Sequence, residues 1–150
     1  MQIGYKNVLL PGISKMSIME NLDWKNLPFG YMKTEYNIRC FYKDGKWGDL
    51  EVSKSDHIDV HIAATGLHYG QEAFEGLKAY MGKDGKVRLF RWEENALRFA
   101  FSADGIMMAP LPVEKFREAV FKVVQLNKKF IPPYGSGASL YIRPFLFGSG

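Results

Sequence analysis

Apolar and polar residues alternate across positions 36–43, with Tyr36, Ile38, Cys40 and Tyr42 on one side. This period of two predicts a strand whose core face includes Cys40, followed by a hairpin turn at Asp44-Gly45. A second hairpin is predicted where residues 77–80 and 86–90, both β-favouring, flank the turn residues Gly82-Lys83-Asp84-Gly85. The period then changes. Between 92 and 103, Trp92, Ala96, Phe99, Ala100 and Ala103 recur at helical spacing, and Gly105 is placed to end that helix. From Val113, just past Pro112, the residues Phe116, Ala119, Val120, Val123 and Val124 form a second helical stripe. Glu114, Lys115, Arg117, Glu118 and Lys122 supply its wet face, and Pro132-Pro133 is the expected stop. Residues 138–147 return to period two, placing Leu140 and Ile142 on one face and Tyr141, Arg143 and Phe145 on the other. Strands joined by hairpin turns and interspersed with helices predict an α+β fold with a mainly antiparallel sheet, rather than a doubly wound parallel one. No internal repeat, low-complexity tract or linker is visible.

The 150 residues match about one domain on a prior of roughly 100–200 residues each. With 47% hydrophobic and 24% charged residues, the chain has enough apolar material for a core and falls outside the disordered class. Near the start, the apolar run Val8-Leu9-Leu10 is halted at once by Pro11-Gly12, which predicts neither a signal peptide nor a membrane span. Met16 and Met19 offer later starts, so residues 1–19 are expected as a tail and 20–150 as the domain. The net charge of +4 is spread along the chain, and no nucleic-acid partner is expected. One cysteine excludes an internal disulfide and a Cys-based zinc site, and it fits a reducing compartment. His57, His61 and His68 lack a second set of ligands at metal spacing, so no metal site is expected. There is no glycine-rich dinucleotide loop, no Walker loop and no nucleophile elbow.

The densest candidate chemistry lies in residues 66–80, where Tyr69, Phe74, Glu75 and Tyr80 sit among Gly66, Gly70 and Gly76. Glycine permits tight backbone and close approach to a ligand. If residues 70–75 form a short helical turn, Tyr69 and Phe74 line the wall of an apolar cavity; otherwise the stretch is a glycine-bounded hairpin whose aromatics fill the core. Arg143 shares a strand face with Tyr141, and a guanidinium in so apolar a run needs an anion, because an unpaired buried charge is costly. That anion is either a structural carboxylate such as Glu75 or the carboxylate of a substrate. Arg98, on the first helix, is either a solvated side chain or a planar fork suited to phosphate.

At these residues the sequence resembles the branched-chain amino acid aminotransferases, pyridoxal-phosphate enzymes of fold type IV. The resemblance runs from about Glu20 to the C-terminus and rests on four motifs in order. They are Asn26-Leu27-Pro28-Phe29-Gly30, the stretch 67–80 just described, Val87-Arg88-Leu89-Phe90-Arg91 with Glu94-Asn95-Ala96 and Arg98, and Ser139-Leu140-Tyr141-Ile142-Arg143-Pro144. Two departures stand beside them: Trp92 replaces a frequent proline, and residues 99–105 are less polar than the family's stretch after its phosphate-binding arginine.

The resemblance implies the N-terminal small domain of that architecture, with Arg98 on the phosphate of pyridoxal 5'-phosphate. It makes Phe29, Tyr69, Phe74 and Tyr141 the pocket for a branched aliphatic side chain. Arg143 would receive the distal carboxylate of glutamate or 2-oxoglutarate. One methylene is worth only about 1–3 kcal/mol in such a pocket, so leucine, isoleucine and valine are all expected substrates. The implied reaction is ping-pong amino transfer in a cytoplasmic homodimer. No lysine here stands in the context of the family's Schiff-base lysine, which is expected in a second domain beyond Gly150. The alternatives are a non-catalytic binding domain that keeps the small-domain fold, or another fold type IV enzyme, a D-amino-acid aminotransferase or an aminodeoxychorismate lyase.

Overall fold

A computed structural model describes Asp23, Trp24, Asn26 and residues 30–150. Phe29 and the expected tail at 1–19 lie outside the described residues. The elements run β1 (Asn37–Arg39), β2 (Tyr42–Lys43), β3 (Lys46–Trp47), β4 (Glu51–Ser53), α1 (Thr65–Tyr69), β5 (Glu72–Phe74), β6 (Leu77–Met81) and β7 (Val87–Leu89). They continue with α2 (Trp92–Gly105), α3 (Val113–Leu126), a 3-10 turn (Lys128–Phe130), β8 (Leu140–Ile142) and β9 (Phe145–Phe147). The strand pairs are antiparallel: β7-β6-β8 in one sheet, with β1 on β4, β2 on β3 and β5 on β9. The fold is therefore α+β with antiparallel sheets. Among the described residues, no helix is long and apolar enough to cross a membrane.

The two helical stripes close the core as their spacing predicts. Ala96, Phe99 and Ala103 of α2 and Phe116, Val120 and Val124 of α3 are buried together with Leu77 and Ala79 of β6, Ile142 of β8 and Leu146 of β9. The Phe99 and Phe116 rings lie 5.8 Å apart, tilted by 55°, and Trp92 meets Phe121 edge-on. Burying a side chain as completely as Phe116 stabilises the fold by about 2–3 kcal/mol. The 82–85 hairpin forms as expected, with Met81 opposite Val87.

Three expectations are corrected. The single strand over 36–43 is two, interrupted at Cys40 and Phe41: β1 pairs with β4, and β2 pairs with β3 around Asp44 and Gly45. Both turn residues have positive φ, 51° and 78°, as a two-residue hairpin of that twist requires. The β2–β3 ribbon pairs with no other strand, and Trp47 packs against the core with its Nε1 donating to the Pro110 carbonyl at 2.9 Å. Cys40, in the break between β1 and β2, is half-buried rather than in the core, its Sγ 3.3 Å from the Gly48 carbonyl oxygen, and Tyr42 is exposed.

Second, α3 ends at Leu126, well before Pro132-Pro133. Asn127 stops it. This buried side chain donates through Nδ2 to the carbonyls of Val123 and Tyr36, both at 2.9 Å, and accepts at Oδ1 from the amides of Glu35 and Tyr36. A side chain that satisfies backbone groups competes with helix continuation, and here it ties the end of α3 to the start of β1. Third, the period-two stretch 138–147 is cut at Arg143-Pro144, since proline donates no ladder bond. β8 pairs with β6 and β9 with β5, yet the faces keep their parity: Ile142 and Leu146 point inward, while Tyr141, Arg143 and Phe145 are exposed.

Candidate active site

The glycine-rich stretch folds as helix, cap and strand. Its helical turn is α1, Thr65–Tyr69, rather than residues 70–75: Gly70 takes left-handed backbone at φ 62° and ψ 30°, closing the helix. Residues 72–74 then become β5 by pairing with β9. Close approaches fix the glycines nearby, because a methyl group on Gly66 would stand 2.2 Å from the Phe147 ring. Tyr69, 83% exposed, and Phe74, 61% exposed, lie outside the core, which excludes the alternative of core-filling aromatics.

Where β5 turns into β6, Glu75 is buried at 4% exposure. The Arg98 guanidinium, carried on α2, meets it edge-on: Nε donates to Oε1 at 2.5 Å and Nη2 to Oε2 at 2.6 Å. Asn95 is one turn earlier on the same helix face, and its Nδ2 donates to Oε2 at 2.8 Å; the Gly76 amide is 3.3 Å from the same oxygen. Burial pushes the Glu75 carboxyl up, but the hydrogen bonds from Arg98 and Asn95 outweigh it and hold the group below its usual range. Arg98 keeps 63% of its side chain in solvent, and Nη1 donates to no described residue. It lines a cleft of about 390 Å³ shared with Asn95, Gly76, Lys78, Tyr80 and Arg91.

Arg143 stands in a different setting. Its guanidinium lies over the Phe74 ring at 4.9 Å and the Tyr141 ring at 5.3 Å, with Nη2 3.5 Å from the Tyr141 hydroxyl. Glu75 is not its partner, because Arg98 and Asn95 occupy that carboxylate. No described carboxylate comes within ion-pair distance of Arg143. With Tyr141 it borders a second cleft of about 320 Å³ that also contains Tyr36, Lys33 and Lys54.

The fold thus brings Phe74, Tyr141 and Arg143 together and leaves Arg98 and Tyr69 apart from them. Gly76 stands beside both guanidinium sites. Its backbone binds Glu75 and Asn95, and a methyl group there would stand 2.4 Å from the Tyr141 hydroxyl. Of the two anions the sequence left open for Arg143, the structural one is excluded, since Glu75 serves Arg98; Asn95 was missed, although its spacing of three from Arg98 puts both on one helix face. Chemically, one edge of Arg98 is satisfied by protein and its far end is open, in a cleft with two further cations. That donor set fits a phosphate group. Arg143 offers an unpaired cation above two rings, which suits a carboxylate attached to an aliphatic chain.

No family model matches the chain. Over 132 residues, 88% of this chain and 38% of the relative, it is 48% identical to the branched-chain-amino-acid aminotransferase of Haemophilus influenzae. Among solved structures, the branched-chain amino acid aminotransferase of Escherichia coli superposes with a TM-score of 0.58 at 26% identity, covering 78% of this chain and 33% of that one. The T.th. branched-chain amino acid aminotransferase complexed with N-(5'-phosphopyridoxyl)-L-glutamate gives a TM-score of 0.57 at 27% identity, covering 79% and 35%. The chain spans less than half the length of the curated relatives it matches.

Proposed function

We propose that this chain, a relative of the branched-chain-amino-acid aminotransferases in sequence and fold, forms the small domain of a pyridoxal-phosphate-dependent transaminase. Residues 20–150 make up that domain, after a tail at 1–19. The reaction moves the amino group of leucine, isoleucine or valine to 2-oxoglutarate, giving glutamate. The observation that carries the reading is the pair of guanidinium sites, one open to phosphate and one open to carboxylate, in a chain with that kinship.

Bound pyridoxal phosphate would supply the electron sink for breaking the substrate's Cα–H bond. Arg98 holds the phosphate through the donors that Glu75 leaves free. Phe74 and Tyr141, joined by Phe29 and Tyr69, exclude water from a branched aliphatic side chain. Arg143 then holds the distal carboxylate of glutamate or 2-oxoglutarate when either enters the same space. The lysine that moves the proton at Cα belongs to a second domain of the same polypeptide. Exposed rings at Phe74, Tyr141 and Phe145 support this reading, since contiguous apolar surface is what a second domain and the partner of a homodimer would cover. Cys40 as the only cysteine supports a reducing setting such as the cytoplasm.

In the full-length polypeptide, Arg143→Met is expected to lower kcat/KM for glutamate and 2-oxoglutarate by about a hundredfold, as loss of a charge partner does. Leucine should lose less than about threefold. Equal losses end the role given to Arg143, and a polypeptide that moves no amino group from leucine to 2-oxoglutarate overturns the whole reading.

A further inference from the structure

We infer that Glu75, assisted by Asn95, is a positioning residue for Arg98: it holds the guanidinium in the one orientation from which the remaining N–H donors take a phosphate. This rests on Arg98 being the phosphate site. The two partners are unequally placed, with Glu75 at 4% exposure and Arg98 at 63%. Burying a carboxylate is a poor way to stabilise a fold, because an apolar residue of similar size usually serves as well. What the carboxylate adds is geometry. Its two oxygens take Nε and Nη2 as a fork, while Asn95 fixes Oε2 from the same helix. An exposed arginine otherwise samples many rotamers, and a ligand must remove that freedom on binding. Here it is removed beforehand, which favours the bound arrangement.

The charge of Glu75 opposes phosphate binding while its geometry assists it. Removing the charge alone would tighten phosphate binding; removing the fork loosens it. Lys78 and Arg91 line the same cleft, so it keeps a cationic excess with Glu75 and Glu94 in place. Positioning is therefore the larger effect.

The test uses the full-length apoprotein titrated with pyridoxal 5'-phosphate and with pyridoxal, which lacks the phosphate. The ratio of the two dissociation constants reports phosphate recognition, and thermal unfolding reports the fold. Glu75→Gln is expected to reduce the preference for the phosphorylated form by about tenfold with the pyridoxal constant unchanged. An unchanged or increased preference, or equal weakening of both ligands, overturns the positioning role while Arg98→Ala still abolishes the preference. If Arg98→Ala leaves the preference intact, the phosphate assignment beneath the proposal fails instead. Should Glu75→Gln not fold, Asn95→Ala carries the same test with an expected threefold loss, and no loss overturns the proposal.

Discussion

Two arginines of this chain, Arg98 and Arg143, have their sites beside the same glycine and meet opposite surroundings. Arg98 finds a buried carboxylate that grips one edge of it; Arg143 finds two ring faces and no carboxylate among the described residues. Ring faces attract a cation without neutralising it, whereas a carboxylate does both. The contrast is between two ways of supporting a guanidinium. One fixes its direction at the expense of charge, the other keeps its full charge on a looser support.

The sharpest way to break this comparison is to remove each partner of the first pair in turn. Arg98→Ala strands a buried carboxylate and is expected to destabilise the protein by about 3 kcal/mol near neutral pH, read by chemical denaturation. Glu75→Gln strands a group that water already reaches, and about 1 kcal/mol is expected. The native Glu75 carboxyl lies below its usual range, so its contribution is present above the unfolded value of about 4.3 and is lost as pH falls through the folded one. Without Arg98, only Asn95 and the Gly76 amide offset burial, so the Glu75 carboxyl rises from its native position and contributes less stability as pH rises. The gap between native protein and Arg98→Ala should therefore widen from pH 4 to pH 7. A larger loss in Glu75→Gln than in Arg98→Ala would refute the asymmetry.

Arg143→Met should change unfolding stability by no more than about 0.5 kcal/mol, because no anion among the described residues depends on that side chain. A loss several times larger in the same denaturation experiment would reveal a structural partner and erase the contrast. The smallest effect concerns a third guanidinium, Arg88, which grips Asp84 through Nη1 at 2.8 Å and Nη2 at 2.9 Å on the exposed 82–85 hairpin. Arg88 and the Lys86 amide hold the Asp84 carboxyl down to about 2. Arg88→Ala should return it toward the ordinary value of about 3.9 in an NMR titration. If it stays near 2, a forked grip is not what sets a carboxylate's charge in this chain.

Much of this was legible in the residues themselves. The stripes of α2 and α3, the 82–85 hairpin and the outward face of Tyr141, Arg143 and Phe145 all follow from spacing, because each depends on which side of one element a residue occupies. The break after Arg39 and the stop at Asn127 do not. Both depend on pairing with distant chain: β1 on β4, and the Asn127 side chain on the backbone of residues 35 and 36. The site divides in the same way. Arg98 and Arg143 stand out as cations in apolar patterns, but whether Glu75 serves Arg143 could not be decided by local spacing, since Glu75 and Arg98 are 23 residues apart.

By itself, then, the sequence determined the α+β class, the faces of its helices and last strands, two arginines as candidate anion sites, and a resemblance to the branched-chain amino acid aminotransferases. Only the tertiary structure decided which carboxylate serves which arginine. Periodicity records the direction of a side chain within one element, while a hydrogen bond of 2.5 Å between β5–β6 and α2 exists only once the core has set those elements side by side.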